Sequence, residues 1–112
     1  MKIEKSGSVV VLTIVKEDLS NPQHASKVLE ELIQSEGQRN FVADLSKLDQ
    51  ISSLQVGAIV TLHLICYENL AVLKLANVST PILKVLKLVG LDKLMEMHHG
   101  VNVARQSFEE KK

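Results

Sequence analysis

The chain has 112 residues, 46% of them hydrophobic, enough for one domain whose core takes roughly two-thirds of the extended-chain surface out of water. Its 13 basic and 13 acidic residues cancel and only 3% of it is aromatic, so nucleic-acid binding lacks both its electrostatic and its stacking basis. The same neutrality argues against docking on anionic membrane by charge alone, and a single cysteine, Cys66, excludes an internal disulfide and fits a reducing compartment.

Met1–Lys5 and Val9–Val15 read as two strands around Ser6-Gly7-Ser8, a small polar break that suits a hairpin turn. The second run is mostly β-branched, as in a strand covered on both faces. It is short and ends in Lys16-Glu17-Asp18, so no signal peptide is read there. No apolar stretch reaches the ~18–20 residues of a membrane span, and a soluble, cytoplasmic protein is expected. Ser20 or Asn21 can cap a helix with Pro22 in its first turn. Ala25, Val28, Leu29, Leu32 and Ile33 then recur at helical spacing, with Glu30, Glu31 and Gln34 on the wet face and Gly37 at the exit.

Phe41–Leu45 is the next strand. Val56–Tyr67 is apolar nearly all round, which predicts a central, buried helix. Leu70–Ala76 returns to strand character. Ser79 or Thr80 caps a further helix with Pro81 in its first turn, its residues Ile82, Val85, Leu86 and Val89 facing inward and Gly90 ending it. Leu91–Met97 is either a helical turn or a short edge strand. Val101, Ala104, Arg105 and Phe108 line one side of a last helix, and Glu109–Lys112 is expected to fray. Strands alternating with helices after an opening hairpin predict one α/β domain with a mainly parallel sheet.

Chemistry concentrates between the third strand and the helix after it. Ser52 and Ser53 stand where that helix begins, and helix N-termini favour negative charge. Ser53 reads equally as an N-cap or as a site where phosphate is accommodated, and Ser52 as a turn residue. Asp44 and Asp49 are a carboxylate pair at the same loop, but without a third ligand they read as turn formers. His63 and Cys66, three apart on the apolar helix, read as packed core. His98-His99 reads as a surface turn, and Lys84, Lys87 and Lys93 as solvated helix surface. No phosphate-binding Gly-rich loop, GxSxG elbow or HExxH is present, so no enzyme, metal or cofactor is expected.

Phe41-Val-Ala-Asp-Leu-Ser46, the link Leu48-Asp-Gln-Ile51 and Ser52-Ser-Leu-Gln-Val-Gly57 resemble the central motif of the STAS domain, the fold of bacterial anti-sigma factor antagonists. In that family a strand ending in Asp-Leu-Ser is followed by Asp-Ser-Ser/Thr-Gly-Leu-Gly at a helix start. Val72–Ser79 and Pro81–Leu94 are similar to the family's next strand, helix and Gly-Leu-Asp-x-Leu turn, so the likeness runs over essentially the whole chain. It implies a single STAS domain over residues 1–112, with helices largely on one side of the sheet. It further implies a non-enzymatic partner that sequesters a kinase-type anti-sigma factor and so releases a sigma factor. Ser53 falls on the family's phosphorylatable serine, with Ser52 as the second candidate acceptor. Asp49, Ser52, Ser53, Leu54, Gln55 and Ala58 are the expected partner-binding residues. The family's aspartate is Ser52 here, its second hydroxyl residue is Leu54 and its next glycine is Gln55. Those departures leave an alternative, a STAS accessory or scaffold subunit that works without phosphorylation, for example in a lipid-transport complex. A homodimer through the strand-rich edge of residues 1–15 is left open.

Overall fold

Gly7 and Ser8 form the predicted hairpin turn. Gly7 has φ 62°, the positive value that a two-residue hairpin turn of type II′ asks of its first position. In the computed structural model, which describes residues 1–109, the turn joins β1 (Lys2–Ser6) to β2 (Val9–Thr13) in antiparallel register. β3 (Asn40–Asp44) lies parallel to β2, β4 (Val72–Ala76) parallel to β3, and the two-residue β5 (Met97–His98) parallel to β4. The sheet order is therefore the chain order, β1-β2-β3-β4-β5.

With neighbours paired in sequence, right-handed crossovers send every connecting helix to one face. Val10 and Leu12 of β2, Phe41 and Ala43 of β3, and Leu73 and Leu75 of β4 point to that face and form the main core with the helices. The alternate residues Val9, Val11, Val42 and Ala76 point the other way. They are covered by α5 (Val101–Glu109) through Ala104, Val101 and Phe108. This double coverage is why β2 reads as an unbroken apolar run.

The expected strand Val9–Val15 stops at Thr13, because the chain turns into an unforeseen short helix, α1 (Lys16–Ser20). A carboxylate oxygen of Asp18 accepts the Val15 N–H at 2.8 Å and closes the first turn, and Leu19 is fully buried. α2 (Pro22–Gln34) follows, with Asn21 at the cap position and Ala25, Leu29, Leu32 and Ile33 buried. It leaves through Gly37 at φ 69°, whose N–H bonds to the Ile33 carbonyl at 3.1 Å. α4 (Thr80–Leu88) buries Ile82 and Leu86, but Val89, expected inside, is exposed because the helix has already ended. Gly90 at φ 80° then opens a 3-10 turn over Leu91–Lys93, and β5 follows, so the ambiguous segment holds both elements. Glu109 is the last residue of α5, and residues 110–112, also expected to fray, lie outside the described part.

The largest correction concerns α3 (Ser53–Glu68). Gln55, Val56, Ala58, Ile59, Leu62 and Cys66 are buried, while Leu54 and Leu64 are exposed on the opposite side with Gly57 and Thr61. The helix is apolar all round yet covered on one side only.

β4 carries a buried lysine on the α5 face. Lys74 is 2% exposed. Its ammonium lies 3.1 Å from Glu96 and 4.1 Å from the centre of the Phe108 ring, and donates to the Ser107 hydroxyl at 2.6 Å. A carboxylate, a hydroxyl and an aromatic face together replace the lost hydration.

Candidate functional site

The start of α3 is held from below by the ends of two parallel strands. Asp44 closes β3, and its Oδ1 accepts the Ser46 N–H at 3.0 Å and the Asn77 side-chain amide at 2.9 Å. Asn77 follows β4 directly and adopts φ 57°, a left-handed conformation that Asn tolerates better than most residues. One carboxylate thus ties the turn after β3 to the turn after β4. Leu48 is buried and anchors the link that follows, with its N–H on the Leu45 carbonyl at 3.0 Å.

Ser52, not Ser53, caps the helix. Ser52 has extended backbone (φ −95°, ψ 167°), and its hydroxyl accepts the Gln55 N–H at 3.2 Å. Gln55 answers through Oε1, which accepts the Ser52 N–H at 3.0 Å, so the two residues form a reciprocal capping box. The Gln55 amide also donates to the Ser20 hydroxyl at 3.2 Å, fastening α3 to the end of α1. Gln55 therefore makes side-chain contacts that a glycine at its position could not make.

Ser53 is the first helical residue, and it is exposed. Because its neighbour does the capping, its hydroxyl is not spent on the backbone. Leu54 beside it is 70% exposed. Asp49 is also exposed, in the loop before the cap. Gln55 and Ala58, expected to be exposed with them, are 8% and 4% exposed. Residues 55, 58, 59, 62 and 66 share one stripe of the helix at the 3.6-residue period, and it is this stripe that packs inward, with Leu54 and Gly57 on its outer flank.

A recess of about 410 Å³ lies beside this helix start, lined by Lys16, Lys47, Leu48, Asp49, Ser52 and Gln55 among others. The two lysines were not singled out from the sequence, and the sheet register explains their meeting. Thr13 and Asp44 are opposite each other in the parallel β2–β3 pair, and each lysine lies three residues beyond. Both cations thus emerge at the same end of the sheet as the N-terminus of α3, and all three favour an anion there.

The other candidates are placed elsewhere. Asp44 is occupied by the turn bonds just described, and it does not gather ligands with Asp49. Among the described residues no group of three or more His, Cys, Asp or Glu side chains could hold a metal. Cys66 is fully buried, and burial pushes its thiol up to about 12, so it is a neutral core side chain at ordinary pH. His63 stacks at a tilt on Tyr67, with ring centres 6.2 Å apart. His98 lies in β5 with Nε2 at 3.0 Å from Glu96 Oε1. Its hydrogen bond, followed by the bond and charge of Lys74, holds the Glu96 carboxyl below the usual range. No helix among the described residues is long and apolar enough to cross a membrane.

Comparison with known proteins finds the same fold elsewhere. The anti-sigma-factor antagonist (STAS) domain protein from Planctomyces limnophilus superposes with a TM-score of 0.80 at 15% identity over 97% of either chain. A component of the stressosome, a signal integration and transduction hub, gives 0.82 at 18% identity over 96% of either chain. SpoIIAA in its phosphorylated form, a cell fate determinant of Bacillus, gives 0.68 at 16% identity over 96% of this chain and 97% of its own. Identities this low establish a shared fold. No curated protein matches the chain. The model of the STAS domain matches residues 1–104, so nearly the whole sequence and the whole sheet are accounted for, and the chain belongs to the STAS domain family.

Proposed function

We propose that this chain is a non-enzymatic, cytoplasmic regulatory binding protein of the anti-sigma factor antagonist kind. It holds a kinase-type anti-sigma factor at the exposed start of α3, frees a sigma factor by doing so, and is released when Ser53 is phosphorylated. The observation that carries the reading is the division of labour between two serines. Ser52 satisfies the backbone, and Ser53 stands exposed on the first turn with its hydroxyl free of the cap. Asp49, Ser52, Ser53 and Leu54 make up the docking surface; Gln55 and Ala58 support it from beneath.

The switch follows from charge. Transfer of a phosphoryl group from ATP to the Ser53 hydroxyl adds roughly −1.5 to −2 charges at pH 7. The N-terminus of α3 and the nearby Lys16 and Lys47 tolerate that charge, so the domain stays folded. A partner seated over Leu54 instead meets a bulky, hydrated dianion at the centre of its footprint, and binding fails.

Affinity capture from native lysate with the unmodified chain and Ser53→Asp in parallel tests this. A kinase-type anti-sigma factor retained by the first and lost by the second is the expected result. The same transporter or scaffold subunit on both would overturn the switch and make the domain a constitutive adaptor. Ser53→Asp should meanwhile unfold at the native temperature or slightly above, since an acid in the first helical turn adds about 0.3–1 kcal/mol. A clear loss of stability would mean that Ser53 has a structural role.

A further inference from the structure

The β1 edge of the sheet has a phase and a charge order that suit a second copy of the same chain. Among the described residues β1 is the outer strand of the order, paired on one side only, with β2. The Ile14 N–H bonds to the Asp44 carbonyl, so residues 10, 12 and 14 of that strand and its extension direct their backbone groups to β3. Residues 9, 11 and 13 then face β1. Their partners are Ser6, Glu4 and Lys2. The alternate residues Ile3 and Lys5 therefore turn their N–H and C=O groups outward, away from the sheet.

That phase restricts how two copies can join. A two-fold axis must bring outward groups to outward groups, so it passes through a residue of β1 and not between two. Centred on Lys2, Glu4 or Lys5, it sets a charge against its own copy, and centred on Ser6 it overlaps only the turn end of the strand. Centred on Ile3, it sets Ile3 against Ile3, Lys2 against Glu4, and Glu4 against Lys2. Ile3 is 39% exposed, a large apolar side chain at the rim. Lys2 and Glu4 are 71% and 61% exposed and 3.9 Å apart within one copy, on the same face and free to exchange partners. Edge strands usually carry charge that repels a second strand; here the order Lys-Ile-Glu complements itself.

We propose that the chain forms an isologous dimer by antiparallel pairing of β1 with β1 of a second copy, centred on Ile3, which extends the sheet from five strands to ten. The reading does not depend on the function of the α3 surface, which lies at a different part of the fold.

Sedimentation equilibrium over a concentration series tests it with three variants. The native chain should show a reversible monomer–dimer equilibrium. Lys2→Glu and Glu4→Lys each place like charges opposite one another at two symmetric positions, and each should weaken the dimer on the order of tenfold. The double exchange Lys2→Glu with Glu4→Lys restores opposite charges and should recover native affinity. Both residue changes are on exposed side chains, so folding is checked by circular dichroism and is expected to be unchanged. Hydrogen exchange supplies a second readout: the Ile3 and Lys5 amides should become protected as concentration rises. A chain that stays monomeric throughout overturns the proposal. So does a dimer indifferent to the single exchanges, or one that the double exchange fails to restore, since either would place the contact elsewhere.

Discussion

Replacing Gln55 probes the start of α3 most directly, because that residue joins the capping box to α1. Gln55→Ala keeps the bond from the residue-55 N–H to the Ser52 hydroxyl. It removes two side-chain bonds, Oε1 to the Ser52 N–H and Nε2 to the Ser20 hydroxyl. At about 0.5–1.5 kcal/mol each, their loss costs about 1–3 kcal/mol. Gln55→Gly reinstates the residue that the family motif carries and costs a further ~1 kcal/mol, since glycine is poorer than alanine within a helix. Gln55→Glu retains an acceptor for the Ser52 N–H, and the Ser20 hydroxyl can turn to donate to it. The expected order of stability is native, then Glu, then Ala, then Gly. Urea titrations with a common slope would read the free energies, and the melting temperature of the alanine variant should fall on the order of 10 °C for a domain of this size. An alanine variant within ~0.5 kcal/mol of native would refute the argument, because the side-chain half of the box and the α1 link would then contribute nothing.

Two further outcomes follow from the opposite face of the sheet. Phe108→Ala removes the ring beneath Lys74 and the apolar contact of α5 with β2 and β4, and should cost about 1–3 kcal/mol; calorimetry showing an unchanged transition would mean that α5 is not held through this residue. The Glu96 carboxyl is depressed by its hydrogen bond with His98 and by Lys74. Its contribution is therefore present above the ordinary carboxylate value of 4.5 and lost as pH falls through the lower folded value. Glu96→Gln should flatten the acid limb of the stability curve, and an acid limb identical to the native one would contradict the assignment.

Much of the fold is legible in the residues because local patterns and global packing agree. Gly7 between two strand-like runs announces the hairpin, the mostly β-branched run Val9–Val15 announces a strand covered on both faces, and Pro22 and Pro81 mark helix starts. The stripe Ala25–Leu29–Leu32–Ile33 identifies the inner face of α2. The Asp44-Leu-Ser46 turn and the serines at the start of α3 also locate the candidate site, since short polar residues at a strand end and a helix start have few other uses. What tertiary structure decided is where periodicity is silent or where distant segments meet. α3 is apolar on every side, so its sequence cannot say which side is covered. Packing on β3, β4 and the first two helices buries Gln55 and Ala58 and leaves Leu54 and Leu64 outside. Ser52 and Ser53 are the same residue in adjacent places, and only the backbone geometry assigns the cap to the first. Lys16 and Lys47 are 31 positions apart in the chain and become neighbours of one recess through the parallel register of β2 and β3. Lys74 has a strand's alternation but a charge where an apolar residue would fit, and its burial is intelligible only once α5 supplies Ser107 and Phe108 from the far end of the chain.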